Sequence, residues 1–154
     1  MATLALQKPL VRVGLEAVDR LGLFRSLVGD LAAREAFENQ QAVFDAVVHR
    51  EGQRSTAVGE GFALPHATSE HVPGLLMAAA RLARPIEFEA PDREPVDLVF
   101  LVLAPPAETA PFLVLLGRLA RVLGRKDVAS DLRSAPDEEA FAAKLQELID
   151  AFLL

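Results

Sequence analysis

Residues 96–103 most constrain the fold of this chain, and they read Val-Asp-Leu-Val-Phe-Leu-Val-Leu. Such a run is rich in the β-branched, aromatic and other apolar residues that favour strands. A strand with one face in water would alternate apolar and polar residues, whereas this run is apolar at nearly every position. It therefore predicts a strand at the centre of a sheet that is covered on both faces. Pro105 and Pro106 are predicted to end that strand.

Apolar spacing elsewhere in the chain predicts helices that alternate with shorter strands. The additional strands are predicted at residues 11–15, 62–64 and 75–82, although residues 78–80 could equally be helical, and residues 86–88 also have the period of a strand. The helices are predicted at about residues 20–34, 40–51 and 113–123, from 127 onward and at 138–152. Because strands and helices are interleaved, the predicted fold class is α/β, with a central sheet covered by helices. The length fits one domain over residues 1–154.

Local signals refine the helix predictions. Asp19 and Asn39 are predicted to cap the first two helices, because their side chains can accept from amides of the first turn. Gly52 is predicted to mark the end of the second helix, which places Arg50 in its last turn. Leu113 is expected on the buried face of the helix over residues 113–123.

The composition excludes several classes of function. The chain has no cysteine, which rules out disulfides, thiolate chemistry and sulfur-ligated metals. A net charge of −6 and a pI near 5.1, without a long run of lysine or arginine, offer no basic face to nucleic acid. The apolar stretch at residues 98–106 is far shorter than the roughly 20 residues of a membrane helix. We therefore expect a soluble, cytoplasmic protein that binds no nucleic acid and does not insert into a membrane.

One histidine, His66, stands out from the others by its setting. It follows Gly59-Glu60-Gly61-Phe62-Ala63-Leu64-Pro65, in which the glycines permit close backbone approach and the proline stiffens the chain. It is predicted to end a short strand, the position at which open α/β sheets place ligands. A neutral imidazole that donates from one ring nitrogen to a fixed acceptor can attack phosphorus with the other. The setting therefore predicts a histidine that accepts and returns a phosphoryl group.

Three residues upstream could hold the charge that such a reaction adds. A phosphorylated imidazole carries close to two negative charges, which need hydrogen-bond donors. Arg50 could supply a planar fork of N–H groups, and Ser55 and Thr56 could supply hydroxyls or backbone amides. The alternative interpretation is an exposed helix-end arginine, favoured by the helix dipole, next to two ordinary loop residues.

The remaining motifs indicate neither a metal nor a cofactor. His66, Glu70 and His71 do not have the spacing of a known metal site. Gly59-Glu60-Gly61 lacks the third glycine of a dinucleotide-binding loop, and the sequence contains no P-loop or nucleophile elbow. No metal and no cofactor are therefore predicted, with a small-ligand or metal-binding domain kept as a third possibility.

Several segments, taken in order, carry a resemblance to a known family. They are Arg50-Glu51, Ser55-Thr56, Gly59-x-Gly61-x-Ala63-x-Pro65-His66, Pro85-Ile86-x-Phe88, Pro95-Val96-x-Leu98-Val99-Phe100-Leu101 and Leu113-x-x-Leu116-x-x-Leu119-Ala120. Together they resemble the fructose/mannitol-type (type 2) enzyme IIA domain of the bacterial phosphoenolpyruvate-dependent sugar phosphotransferase system, which includes the nitrogen-regulatory branch. The resemblance implies a mixed β-sheet flanked by helices on both faces. It also implies that His66, with Arg50 beside it, receives phosphate from a histidine phosphocarrier protein and passes it to a IIB cysteine or uses it as a regulatory signal.

One position departs from the pattern of that family. The family usually has a second active-site histidine just before the Leu-x-x-Leu-x-x-Leu-Ala helix, and Phe112 stands there, so that it is expected to line the site. A phenyl ring cannot donate to a phosphoryl oxygen, and a hydrogen bond to a charged group is worth about 1.5–3 kcal/mol. The alternative function is therefore a phosphotransfer-impaired regulatory domain that binds a target protein. The sequence leaves open whether the chain is an enzyme, which sugar or target it serves, and its oligomeric state.

Overall fold

A computed structural model describes residues 6–35 and 37–153 of the protein. The strands are β1 (Leu10–Leu15), β2 (Ala57–Gly59), β3 (Phe62–Ala63), β4 (His66–Thr68), β5 (Leu76–Ile86) and β6 (Val96–Ala104). The helices are α1 (Arg20–Glu35), α2 (Gln40–Gln53), α3 (Thr109–Leu123), α4 (Lys126–Ser134) and α5 (Glu138–Leu148), with a 3₁₀ turn at Pro106–Glu108 and a π turn at Ile149–Leu153. Within the described ranges, none of the helices combines the length and the apolar character that crossing a bilayer requires. The domain predicted over residues 1–154 also includes residues 1–5, 36 and 154, which lie outside the described residues.

The strands form one mixed sheet in the order β1-β5-β6-β3-β2, and β4 also pairs with β6. β5 and β6 are antiparallel, with Leu76 opposite Leu103. β1 is parallel to β5, β3 and β4 are parallel to β6, and β2 is antiparallel to β3. Every residue of β6 except Asp97 is buried, which confirms the prediction of a central strand covered on both faces.

Helices cover both faces of the sheet, as the α/β prediction requires. Successive residues of a strand point to opposite faces, so the side chains of β6 divide between two apolar clusters. Val99 and Leu101 pack with α1 and α2 on one face. Phe100 and Val102 pack with α3, α4 and α5 on the other. Burial of this apolar surface, worth about 25 cal/mol per Å², is the main force that holds the layers together.

Both predicted helix caps are present. Asp19 Oδ1 accepts a hydrogen bond from the amide of Gly22 at 2.8 Å, and Asn39 Oδ1 accepts one from the amide of Ala42 at 3.3 Å. Asn39 has a φ of 59°, a left-handed conformation that asparagine tolerates better than most residues. The two caps therefore provide acceptors for amides that the first turn of each helix leaves without intrahelical partners.

Two details of the helices differ from the predictions. α2 does not end at Gly52 but continues beyond it, and Arg54 closes the helix in an extended conformation. On α3 the predicted face is wrong at its start, because Leu113 is 59% exposed while Phe112 and Leu115 are buried; further along, Leu119 and Leu123 are buried as the spacing predicts. This part of α3 is apolar at nearly every position, so its spacing alone fits more than one rotation of the helix.

Candidate functional site

His66 lies at the point where a strand resumes after an interruption. β3 and β4 both run parallel to β6, and His66 lies opposite Val102. Pro65 has no amide hydrogen to donate to the ladder, although its carbonyl oxygen accepts from the Val102 amide at 3.0 Å. The prediction that His66 ends a strand over residues 62–64 is therefore wrong in detail, because His66 begins β4.

The two glycines before His66 form a tight turn between β2 and β3. Gly59 and Gly61 have φ values of 121° and 85°, on either side of Glu60. A Cβ atom on Gly61 would lie 2.5 Å from Nη2 of Arg133. The glycines therefore permit a close approach in this segment, but the group that makes it is the guanidinium of Arg133, which packs against the turn, and not a ligand at His66.

The backbone holds the imidazole of His66 in one orientation. Its Nδ1 lies 2.7 Å from the carbonyl oxygen of Leu64. Because a carbonyl can only accept, Nδ1 carries the proton and Nε2 presents its lone pair. Burial lowers the pKa of His66 below its ordinary value of 6.5; the guanidinium of Arg50 also lowers it, whereas the Leu64 carbonyl and the Glu51 carboxylate act in the opposite direction. The imidazole is therefore mainly neutral at pH 7, which is its nucleophilic form.

Phe112, at the start of α3, packs edge-on against His66. The two ring centroids are 5.7 Å apart, and the ring planes meet at 62°. Such a contact between aromatic rings is favourable by about 0.5–1.5 kcal/mol beyond the burial of area. Phe112 is 4% exposed, so it excludes water from one side of the imidazole without offering a hydrogen-bond donor.

Two open pockets meet at His66 and Arg50. The first, of about 360 Å³, is also lined by Arg54, Ser55 and Thr56. The second, of about 380 Å³, is also lined by His49, Gln53, Thr109 and Phe112. Nη1 of Arg50 donates to the carbonyl oxygen of Arg54 at 2.9 Å. The structure thus brings all the predicted site residues to the walls of two adjoining pockets.

The hydroxyls of Ser55 and Thr56 already have acceptors. Ser55 Oγ donates to the carbonyl oxygen of Phe88 and accepts from the amide of Ala57. Oγ1 and the amide of Thr56 donate to the two carboxylate oxygens of Glu51, at 2.5 and 2.8 Å. Both residues line the first pocket, but phosphate binding through their hydroxyls stays a prediction that requires each proton to leave its present acceptor.

Glu51 anchors this wall of the first pocket, a role that its sequence position alone did not indicate. Its carboxylate is buried, and besides binding Thr56 it lies 3.4 Å from Nη1 of Arg20. A buried carboxylate needs such partners, because removing its charge from water is costly. The contact with Arg20 joins residues 31 positions apart in the sequence, so it arises from the packing of α1 against α2.

Arg54 is a further candidate that the sequence pattern did not single out. It is exposed and lines the first pocket together with His66 and Arg50. His71, by contrast, lines neither of these two pockets, and its Nε2 lies 3.4 Å from Nδ2 of Asn39. In the part of the chain that the structure describes, no group of three or more His, Cys, Asp or Glu side chains could hold a metal ion.

The sequence and the fold are similar to those of known proteins. The family model for the phosphoenolpyruvate-dependent sugar phosphotransferase system, EIIA 2, matches residues 5–148. A nitrogen regulatory protein of Bradyrhizobium diazoefficiens is 43% identical over 119 residues, which cover 75% of this chain and 78% of that protein. The nitrogen regulatory protein IIA-Ntr of Neisseria meningitidis has a TM-score of 0.82 at 30% identity, covering 91% of this chain and 95% of that one. The mannitol IIA of Escherichia coli, in complex with phosphorylated mannitol IIB, shares the fold with a TM-score of 0.73 at 18% identity, covering 91% and 93%.

Proposed function

The chain belongs to the EIIA type 2 family of the phosphoenolpyruvate-dependent sugar phosphotransferase system, and we propose that it is a phosphocarrier with His66 as the accepting residue. The observation that carries this proposal is the hydrogen bond from Nδ1 to the Leu64 carbonyl, which leaves the Nε2 lone pair available. The lowered pKa of the imidazole supports it, because the neutral form persists below pH 6.5. The position of Arg50 on both adjoining pockets supplies a cation for the incoming anion.

In the proposed reaction, Nε2 of His66 attacks the phosphorus of a phosphohistidine on a histidine phosphocarrier protein. The new N–P bond forms while the N–P bond of the donor breaks, and the donor imidazole keeps the electron pair of that bond. The Nδ1 proton stays on His66, where the Leu64 carbonyl accepts its hydrogen bond. The guanidinium of Arg50 would donate to the phosphoryl oxygens as negative charge is transferred to this protein.

The phosphoryl group would then be passed to a IIB-type cysteine, or the phosphorylated state would act on a regulatory target protein. The complex of mannitol IIA with phosphorylated mannitol IIB supports the first output by analogy of fold. The nitrogen regulatory relatives support the second. The sequence contains no cysteine, so a thiol acceptor lies outside it. Dependence on phosphoenolpyruvate in this family and the lack of cysteine support a cytoplasmic location.

A second candidate function is a regulatory interaction domain that keeps the fold but does not turn over phosphate. The observation that favours it is Phe112, which contacts His66 with an apolar edge where a donor could stabilise a phosphoryl oxygen. On this alternative, the exposed side chains of Leu113 and Val114, next to the buried Phe112, would belong to a protein-binding surface. Rapid discharge of a labelled His66 to a IIB-type protein would exclude it.

Labelling with phosphoenolpyruvate and the upstream phosphodonor proteins tests the proposed function. We expect the wild type and His71→Ala to become labelled, and His66→Ala to stay unlabelled. His71→Ala is the matched control, because it removes a histidine that lines neither of the two pockets at His66. Equal labelling of the wild type and His66→Ala would refute the proposal.

A further inference from the structure

Arg54 places a second guanidinium on the first pocket. It is the residue that closes α2, its backbone is extended, and its side chain is exposed. In the described residues, its guanidinium forms no hydrogen bond, ion pair or aromatic contact, whereas its carbonyl oxygen accepts from Nη1 of Arg50. The two arginines are thus linked through one backbone carbonyl, and both line the pocket that contains His66.

The charges around His66 favour a second cation at the site. A phosphoryl group on the imidazole would carry close to two negative charges, and Arg50 supplies one positive charge. Arg50 and Arg54 lie at the C-terminal end of α2, where the last carbonyl groups carry partial negative charge. The Glu51 carboxylate also acts on His66, since it raises the pKa of the imidazole. With Arg50 alone, a dianion at this position would keep an excess of negative charge that a second cation would offset.

The other polar groups on this wall have little capacity left. The hydroxyl protons of Ser55 and Thr56 are donated to Phe88 and Glu51, and the phenyl ring of Phe112 has no proton to donate. A guanidinium has five N–H groups in a planar fork, which suits phosphoryl oxygens. Among the described residues that line this pocket, Arg54 is the charged side chain whose donors are all still available.

We infer that Arg54 is a second phosphoryl-binding residue, which donates to the oxygens of a phosphoryl group on His66 and thereby favours the phosphorylated state. The inference rests on the proposed function. Arg54 takes no part in bond making or breaking: the N–P bond still forms at Nε2 while that of the donor breaks. Its contribution is to the equilibrium between the donor and this protein, and it compensates for the donor that Phe112 does not provide.

The experiment measures the equilibrium constant for phosphoryl transfer from a phosphorylated histidine phosphocarrier protein to the wild type, R54Q, R54K and R84Q. Arg84 is the matched control, because it is exposed and lines a pocket that shares no residue with the His66 site. We expect R54Q to lower the constant by about threefold to tenfold, R54K to recover part of the loss, and R84Q to match the wild type. The difference between R54Q and the wild type should shrink as salt is added, because the guanidinium of Arg54 is exposed and its interactions are screened by ions.

The outcomes separate this inference from the proposed function. Normal labelling of the wild type together with equal constants for R54Q and R84Q would overturn the role of Arg54 and leave the function of His66 intact. Labelling that does not depend on His66 would overturn the proposed function itself. Partial recovery by R54K distinguishes a charge effect from a structural one, since lysine restores the charge but not the planar fork.

Discussion

Two arginine-containing regions of this protein use their donors in opposite ways. In the corner between α4 and the β2–β3 turn, Arg133 donates to both carboxylate oxygens of Asp97 and to the Glu60 carbonyl, at 2.8–3.1 Å. At the His66 site, Arg50 has one backbone acceptor, and the described residues provide none for the guanidinium of Arg54. Polar groups that are already paired fix a structure, whereas groups with spare donors can bind a ligand.

The corner supports the site from a distance. Asp97 and Leu98 donate from their amides to the Gly61 carbonyl at 2.9 and 3.1 Å, next to the contact of Arg133 with the same turn. These bonds fix the start of β3 beside β6, and therefore the register in which His66 reaches Val102. We expect substitutions in the corner to reduce stability, and substitutions of residues with spare donors to reduce phosphoryl binding.

The largest effect is expected at Glu51, whose buried carboxylate is paired with Thr56 and Arg20. Glu51→Ala would leave the buried amide and hydroxyl of Thr56 without their acceptor. We expect a loss of about 3 kcal/mol in the free energy of unfolding, measured by urea denaturation, together with loss of labelling at His66. Glu89→Ala is the matched control, because it removes an exposed carboxylate that also faces Arg20. Similar stability losses in the two variants would show that the wall of the first pocket does not depend on Glu51.

Arg133→Met is expected to have the next largest effect and tests the corner. It removes the fork that binds Asp97 and the Glu60 carbonyl while keeping an apolar stem of similar length. Because this pair is partly exposed, we expect a loss of about 2 kcal/mol in the free energy of unfolding rather than more. Labelling per folded molecule, measured well below the melting temperature, should equal that of the wild type. A folded Arg133→Met protein that does not accept phosphate would contradict the separation between corner and site.

Arg50→Gln makes the reciprocal test at the His66 site. We expect the variant to have the same melting temperature as the wild type, because Arg50 has a single backbone acceptor that water can replace. Acceptance of phosphate should fall about tenfold, which corresponds to about 1.4 kcal/mol. In Arg50→Lys, acceptance of phosphate should fall less, since lysine retains the positive charge. A loss of stability without a loss of labelling in Arg50→Gln would reverse the contrast between the two regions.

The parts of the fold that follow from local chemistry could be predicted from the sequence. The apolar run of β6 indicated a central strand, and Asp19 and Asn39 were recognisable as caps because a cap needs only its own next turn. The exposure of Leu113 at the start of α3 was not predictable, because Leu113 and Phe112 are both strongly apolar and packing against the sheet determines which of them is buried.

The candidate site shows the same division between local and tertiary information. His66 was marked by the proline and glycines just before it, and its Nδ1 acceptor is only two residues away. The acceptor of the Ser55 hydroxyl is the carbonyl of Phe88, 33 residues further along the chain. The sequence therefore could not show that this hydroxyl already donates its proton within the protein. No sequence pattern distinguished Arg54 as a site residue, since an exposed charged residue after a helix is common in any loop.

The smallest effect is expected in the response of His66 to pH. Its pKa should lie below that of the same histidine in the urea-unfolded chain, because burial disfavours the imidazolium. An NMR titration of the imidazole C–H signals in the folded and unfolded protein measures both values. A folded value equal to or above the unfolded one would mean that the imidazole is hydrated like a free one, and that Phe112 does not shield it.

The same shift has a consequence for stability that His66→Gln isolates. Between the lower folded pKa and about 6.5, the unfolded chain binds more protons at this position than the folded chain does. The free energy of unfolding of the wild type should therefore fall as the pH is lowered through that window, and the fall should be weaker in His66→Gln. Arg133→Met should retain the full wild-type slope, because Arg133 lines neither pocket at His66. If Arg133→Met weakens the fall in unfolding free energy and His66→Gln does not, the two regions are coupled, and the corner around Arg133 affects the protonation of the imidazole.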